Sequence, residues 1–284
     1  MNFIREPAVS GMFYPSNPGA LLRDIENYMQ RASIEPVKGT IIGLISPHAG
    51  YMYSGPVAAY GYKAIAGKQY ETVIIIAPSH KMYFEGVAII GEGGYKTPLG
   101  TVPIDRDLAH TLLTTNDVIK QNIEVHRGEH ALEVQLPFLQ VVLKDFRIIP
   151  LIMGNQAIHV CEKLSDVLYK ALMGVQKKFL IVGSTDLSHY YPYNSAVELD
   201  GIVVHHLQNF DVSGLQKDVE REKCEACGAG PMITTMMVSK KCGATKSKVL
   251  KYANSGDVSG DKSGVVGYVS CVFYNTSLEE HGET

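Results

Sequence analysis

The sequence predicts an α/β protein, a single-domain sandwich in which helices flank a central, largely parallel sheet. Short apolar runs that suit buried strands alternate with longer segments of helical spacing, which is typical of this class. Residues 72–77 are apolar on both faces, as a buried parallel strand is. No low-complexity linker or internal repeat divides the 284 residues, so we expect one domain over residues 1–284.

The elements follow from apolar periodicity along the chain. Residues 1–20 are rich in Pro, Gly and Asn, so we expect an ordered arm without regular structure. Strands are predicted where short apolar runs occur, and helices where apolar residues recur one turn apart. The predicted strands cover residues 40–45, 72–77, 87–90, 99–103, 147–153, 178–183, 246–252 and 265–274. The predicted helices cover residues 21–31, 54–67, 105–115, 129–143, 158–173, 196–207 and 228–239.

Two helix starts depend on proline. Ser54 and Pro56 predict a start near residue 54, because serine caps a helix and proline fits its first turn. Pro137 falls inside the segment 129–143, which is therefore either interrupted or starts late.

Composition excludes several classes of function. The formal net charge of -3, without a basic block, argues against sequence-independent binding to nucleic acid. No apolar run reaches the roughly 18 residues of a membrane span, and the N-terminus lacks the layout of a signal peptide. We therefore expect a cytoplasmic protein without a membrane partner. The five cysteines are an odd number and do not predict a disulfide framework.

Polar residues follow three of the predicted strands. His48 comes after the first strand, His80 after the second, and Asp186 and His189 after the strand at 178–183. Ligands of open α/β sheets bind outside the carboxyl ends of the strands, so these side chains are expected at one edge. Three strands that each lead to a histidine predict a metal or catalytic site.

Cys227 adds a sulfur to this set, directly before a predicted helix. Imidazole and thiolate together suit a mid- to late-row transition metal. The helix dipole is expected to stabilise the thiolate of Cys227. Asp186 and His189 lie three residues apart and would face the same way in a helical turn, as a base or as groups that orient a ligand.

A further cluster contains His130 and Glu133. They are expected either to point into the pocket or to cap the following helix, and both interpretations stay open. His126 has the spacing of a metal pair with His130, but Gly128 between them weakens a helix there.

The order of these motifs resembles the Memo family, the B component of the AmmeMemoRadiSam set of archaea and bacteria. The resemblance covers most of the chain. The matching pieces are REPAVSGMFYP at 5–15, PHAGYMYSG at 47–55, APSH at 77–80, TPLG at 97–100, EHALEVQLPF at 129–138 and STDLSH at 184–189. The combination is specific, although no single piece would be.

The resemblance implies a fold similar to the LigB-like class III extradiol dioxygenases. It implies that His48, His80 and Cys227 are metal ligands, with His189 in the acid/base position and Asp186 beside it. Cys227 is preferred to Cys224 because a glycine and a helix start follow it. The dioxygenases have a carboxylate where this chain has a thiolate, so the fold does not establish ring cleavage.

Two functions are therefore expected. The first is a cytosolic non-haem metal protein with redox or dioxygenase-like activity, using Fe(II) or, as the second choice, copper. The alternative is a binding module that uses the pocket to recognise a peptide or a protein. Tyr53 and other tyrosines would line that pocket. A small-molecule substrate, and radical SAM and AMMECR-type proteins, are the partners that the resemblance implies.

Overall fold

Four parallel strands form the middle of a nine-stranded sheet. The computed structural model describes residues 3–175 and 177–276. The strands are β1 (Ile4–Arg5), β2 (Thr40–Ser46), β3 (Thr72–Pro78), β4 (Val87–Ile89), β5 (Gly94–Thr97), β6 (Gly100–Pro103), β7 (Ile119–Gln121), β8 (Arg147–Met153), β9 (Phe179–Ser184), β10 (His189–Tyr191), β11 (Lys246–Asn254) and β12 (Val265–Asn275). The helices are α1 (Pro18–Arg31), α2 (Tyr51–Ile65), α3 (Arg106–Thr114), α4 (Ile123–Arg127), α5 (Gln135–Val142), α6 (Ile158–Met173), α7 (Tyr193–Gln208), α8 (Val212–Glu220), α9 (Ala229–Lys241) and α10 (Gly256–Ser259).

The large sheet is mixed, with three of its four parallel pairs at the centre and the fourth, between β4 and β7, at one edge. Its order is β10-β12-β2-β9-β3-β8-β4-β7, and β11 pairs with β12. Neighbours within β2-β9-β3-β8 are parallel, whereas β12 and β4 join them in antiparallel pairs. A smaller sheet contains β1, β5 and β6. The predicted α/β class is confirmed, and the parallel pairing is concentrated in the middle of the sheet.

Helices cover both faces of the central strands. Successive residues of a strand point to opposite faces. Leu44 of β2 packs against Gly61 of α2, whereas its neighbour Gly43 lies against Ser239 of α9. Helices α1 and α5 lie beside α2, and α6 lies beside α9. Strand β3 is buried along its whole length between these layers, which explains its uninterrupted apolar sequence.

Glycines in two strands let α9 approach the sheet. A Cβ on Gly43 would lie 2.1 Å from Ser239 Oγ, and one on Gly183 would lie 2.5 Å from Thr235 Oγ1. Both distances are shorter than any real carbon contact, so only glycine fits at this approach. The N-terminus of α9 is thereby held close to the carboxyl end of β9.

The predicted helix start near residue 54 is wrong, since α2 begins at Tyr51. The N–H of Tyr51 donates to the carbonyl of Phe13 in the N-terminal arm, which gives the first turn a partner that the local sequence does not show. Ser54 Oγ donates to the carbonyl of Ala49 instead of capping the helix. Pro56 consequently lies inside the helix.

The segment 129–143 is helical only over Gln135–Val142. Pro137 is in the first turn, where the backbone N–H has no partner within the helix, so proline costs little there. The late-start alternative is therefore confirmed. Residues 129–134 form a loop and a turn, which places His130 outside the helix.

Seven elements of the described residues were not predicted from the sequence. They are β1, which lies in the arm that was expected to lack regular structure, and β5, β7, β10, α4, α8 and α10. Strand β10 has three residues and pairs with β12, and α8 follows α7. A three-residue strand is too short to show an alternating pattern, so only its pairing partner defines it. The described helices include none that is both long enough and apolar enough to span a membrane.

Candidate metal centre

Three histidines meet beyond the carboxyl ends of β2 and β3. His48 follows β2, His80 follows β3, and His130 comes from the loop before α5. The ring centroids are 5.1 Å apart for His48 and His80, 5.5 Å for His48 and His130, and 4.6 Å for His80 and His130. One ligand atom of each lies within 4.8 Å of the other two, so this group could hold a metal ion.

Ser184, the last residue of β9, determines which nitrogen of His48 is free. Ser184 Oγ donates to the carbonyl of Ala131 at 2.7 Å and accepts from Gln135 Nε2 at 2.8 Å. A hydroxyl has one hydrogen, so its third contact, to His48 Nδ1 at 2.8 Å, must be accepted from that nitrogen. His48 Nδ1 therefore carries the proton, and Nε2 keeps the lone pair that a metal needs.

The buried carboxylate of Glu129 orients the other two histidines. It accepts the backbone N–H groups of His80 at 2.6 Å, His130 at 2.8 Å and Ala131 at 2.9 Å. Glu129 Oε1 also lies 3.0 Å from His80 Nδ1 and 3.3 Å from His130 Nδ1. Burial alone would raise the pKa of Glu129, but these hydrogen bonds, first of all the one from the His80 ring, outweigh it and hold the pKa at about 2. The ionised carboxylate can only accept, so His80 Nδ1 carries a proton, and in the neutral ring Nε2 is the free nitrogen.

Burial favours the neutral form of two of the three imidazoles, those of His48 and His130. Burial lowers the pKa of His48 well below its usual range, and the neighbouring histidines lower it further. Burial also lowers the pKa of His130. Neutral imidazole is the form that binds a metal, so the metal does not have to displace a proton from these rings at neutral pH. The side chains of His80 and His130 are 30% and 19% exposed, which leaves them accessible from solvent.

Cys227 lies against one of the three histidines. Its Sγ is 3.2 Å from His48 Nε2, whereas Cys224 is buried in the hydrophobic core. Gly228 makes this placement feasible, because a Cβ there would lie 2.3 Å from the carbonyl oxygen of Ser184. Burial and the nearby carboxylate of Asp186 raise the pKa of the Cys227 thiol, opposite to the effect expected from the helix N-terminus. A bound cation would be needed to offset this rise.

Asp186 lies beside the cluster. Its Oδ1 accepts the backbone N–H of His48 at 2.8 Å, and its Oδ2 is 3.9 Å from His48 Nε2. Burial raises the pKa of Asp186 to about 7. A carboxyl group with this pKa can gain or lose a proton near neutral pH.

His189 is placed separately from Asp186. It begins β10 and is half-buried, so the two residues do not share a helical turn as the spacing had suggested. The Nδ1–H of His189 donates to the carbonyl of Leu187 at 2.7 Å. In the neutral ring, Nε2 of His189 is therefore the nitrogen with the free lone pair, as it is in neutral His80.

Glu133 does not face the histidines as a free acid. Its carboxylate is buried and accepts four hydrogen bonds from the N-terminal arm, given by Arg5, Tyr14 and the N–H groups of Ala8 and Val9. The structure thus attaches Glu133 to the arm, and its role as a pocket residue stays a prediction.

Tyr53 is half-buried in the first turn of α2, on the helix that follows His48. Its role as a pocket residue stays a prediction.

Sequence reasoning missed Glu129 as a functional residue. The signal was present, because Glu129 directly precedes His130 and the apolar residues of α5 soon follow. An acid next to a buried element is worth testing as a partner of nearby histidines.

The larger cavities lie at the opposite edge of the sheet. Two cavities of about 510 Å³ each share Lys68 and Tyr70, which precede β3. One is also lined by Thr40 and Phe179, the first residues of β2 and β9.

The fold and the cluster define an α/β protein with a group of three histidines that could hold a metal ion. Comparison with known proteins then assigns the family. A family model described as Memo-like protein matches residues 5–272, and the chain belongs to this family.

Archaeal relatives match along nearly the whole chain. A MEMO1 family protein of Methanobrevibacter smithii is 37% identical over 280 residues, which cover 95% of this chain and 99% of the relative. A MEMO1 family protein of Methanopyrus kandleri is 38% identical over 279 residues, with 95% and 98% covered. The resemblance to the Memo family expected from the motifs is confirmed.

A solved structure supports the fold alone. The crystal structure of an uncharacterized protein from Escherichia coli K12 matches with a TM-score of 0.50 and 12% sequence identity. The match covers 82% of this chain and 99% of that chain.

Proposed function

We propose that this protein binds a redox-active metal ion and uses it in an oxidoreductase or dioxygenase-like reaction. The observation that supports the proposal is the convergence of His48, His80 and His130, with ligand atoms within 4.8 Å of one another. The hydrogen bonds at His48 Nδ1 and His80 Nδ1 turn an unprotonated nitrogen of each ring to the metal. Cys227, beside His48, would be a further ligand.

Iron(II) is the metal that we propose, with copper as the second candidate. Imidazole nitrogens with a nearby thiol suit these ions better than Mg²⁺ or Ca²⁺, which prefer oxygen ligands. When bound, such a metal supplies one-electron chemistry and polarises an oxygen atom of the substrate. His48, His80 and His130 would hold it, and Cys227 would tune it.

His189 and Asp186 would move protons during the reaction. The free Nε2 of His189 can accept a proton from a substrate, since Leu187 holds the other nitrogen. Asp186, with a pKa of about 7, can return a proton at neutral pH. General acid/base help of this kind typically contributes about 10²–10⁴-fold in rate.

Metal content after anaerobic purification is the first test. We expect near-stoichiometric iron or copper in the wild type and its loss in His48→Ala, His80→Ala and His130→Ala. The matched control is His110→Ala, because His110 is exposed on α3. A wild type that neither retains nor takes up metal would refute the proposal.

The role of His189 needs a separate variant. His189→Ala should keep the metal of the wild type while oxygen uptake with a panel of small aromatic and thiol substrates is lost. Loss of metal in His189→Ala would make His189 a ligand and would refute its acid/base role.

A binding module is the second candidate function, and the exposure of apolar side chains near the site favours it. Large apolar side chains are exposed close in sequence to the site residues, at Met52, Met82, Tyr83, Tyr190 and Tyr191. Aromatic residues and methionine are enriched at protein interfaces. A purified AMMECR-type or radical SAM protein is the probe that we propose. Binding that persists in metal-stripped His48→Ala would favour this function over the enzymatic one.

A further inference from the structure

We infer that the N-terminal arm is part of the metal centre, and that Arg5 is the positioning residue for His130. This inference rests on the proposed function, because it concerns how the metal ligands are held. Arg5 lies 125 positions before His130 in the chain, and it acts through buried contacts and not by touching the metal.

His130 differs from the other two histidines in its support. His48 and His80 each directly follow a central strand, whose hydrogen-bonded ladder holds the backbone. His130 lies in a loop between α4 and α5. A loop residue that has to meet two others within a few ångströms needs contacts from elsewhere in the fold.

Arg5 supplies those contacts from β1. Its side chain is 1% exposed, and its Nε donates to the carbonyl of His126 at 2.9 Å. Its Nη2 donates to the carbonyl of Glu129 at 2.5 Å, and its Nη1 pairs with Glu133. The two carbonyls belong to residues that precede His130 in the chain, whereas Glu133 follows it. The guanidinium therefore binds the chain both before and after this histidine. The planar fork of arginine makes all three bonds at once, which the single ammonium group of lysine cannot do in this geometry.

The arm also touches the imidazole itself. The ring of Phe13 lies 4.9 Å from that of His130, between centroids, and the Phe13 carbonyl accepts the N–H of Tyr51 at the start of α2. Tyr14 donates its hydroxyl hydrogen to Glu133. The arm is therefore attached to both sides of the cluster, to the segment that carries His130 and to the helix that follows His48.

Cobalt(II) bound to the full-length, metal-stripped protein tests the inference, because its absorption spectrum reports the number and type of ligands. We expect Arg5→Lys to weaken cobalt binding about 10–100-fold, the usual effect of losing an outer partner of a ligand. We also expect Arg5→Lys to show the spectrum of His130→Ala, although His130 is still present. In the double variant that combines Arg5→Lys with His130→Ala, the Arg5 substitution should cause no further loss of cobalt affinity. The control is Glu6→Gln, because Glu6 pairs with Lys96 at the surface.

Two results would overturn the inference while the proposed function stands. One is an Arg5→Lys protein with the cobalt affinity and spectrum of the wild type. The other is an Arg5→Lys substitution that lowers cobalt affinity equally in the wild type and in His130→Ala. Arg5 would then act on the metal site by a route other than His130. A wild type that binds no cobalt, iron or copper would refute the proposed function and, with it, this inference.

Arg5→Lys leaves Glu133 with an imperfect partner in the interior, so it can fail to fold. Tyr14→Phe is the milder variant, because it removes one of four hydrogen bonds to Glu133 and keeps the ion pair. We expect a smaller loss of cobalt affinity with a spectral change in the same direction. An unchanged spectrum in Tyr14→Phe, with Arg5→Lys unfolded, would overturn the inference.

Discussion

Replacing Glu129 by glutamine would change one oxygen atom at the centre of the histidine cluster. The pKa of Glu129 is about 2, against a usual value of 4.5, because His80 and three backbone N–H groups bind its ionised form. That difference corresponds to roughly 3 kcal/mol of stability at neutral pH. Because the folded-state pKa is depressed, this stability is present above about pH 4.5 and is lost as the pH falls towards 2.

The substitution should also displace His80. Glu129 Oε1 accepts the N–H groups of His130 and Ala131 and faces His80 Nδ1, whereas Oε2 accepts the backbone N–H of His80. A glutamine amide that kept its oxygen at the Oε1 position would turn its NH₂ group towards the backbone N–H of His80. Two donors cannot bond to each other, so His80 would move away from the other two histidines. We therefore expect Glu129→Gln to lose about 3 kcal/mol of stability at pH 7 and about 10–100-fold in metal affinity.

Three measurements would check this prediction. Urea unfolding of the metal-free protein gives the free energy of unfolding, NMR of the His80 backbone N–H reports the lost hydrogen bond, and metal titration gives the affinity. Glu124→Gln is the control, because Glu124 is an exposed acid of the same segment, paired with Arg127. Wild-type stability and wild-type metal affinity in Glu129→Gln would refute the reasoning.

Three more predictions concern other parts of the site. Ser184→Ala removes the acceptor of His48 Nδ1 and should weaken metal binding roughly tenfold, as measured by competition with a chelator; unchanged affinity would contradict the tautomer assignment. The raised pKa of Asp186 makes its ionisation in the folded wild type costly. The unfolding free energy of Asp186→Asn should therefore rise relative to that of the metal-free wild type, by up to about 4 kcal/mol, as the pH rises from 4 through 7. Urea unfolding of both proteins across that pH range checks this prediction. A difference in unfolding free energy that does not change with pH would refute it. Gly228→Ala should lower the unfolding free energy by about 1–3 kcal/mol, because the new Cβ would lie 2.3 Å from the carbonyl oxygen of Ser184. A thermal unfolding midpoint equal to that of the wild type would refute this, since the backbone would then have shifted without loss of stability.

Local patterns in the sequence were enough to predict the central sheet and two of the three clustered histidines. The strand at 147–153 and the helix at 158–173 have the predicted bounds. Apolar runs define buried strands, and the carboxyl ends of parallel neighbours meet by the geometry of the sheet. His48 and His80 could therefore be placed together before any contact was known.

Helix starts were less predictable where distant groups supply the partners. The first turn of α2 is completed by the carbonyl of Phe13 in the arm, which no pattern around Ser54 reveals. Similarly, the pKa of Cys227 depends on burial and on Asp186, which outweigh the helix N-terminus that the sequence shows.

The sequence by itself determined the α/β class, the family and the strand ends that carry His48 and His80, because these depend on short-range periodicity and on motif order. Only the tertiary structure decided that His130 joins them and that Glu129 and Ser184 orient the rings. It also decided that Arg5 pairs with Glu133 across 128 residues of chain. Contacts of this kind depend on how separate segments pack, and a buried charge has no preferred partner until the fold has removed water from around it.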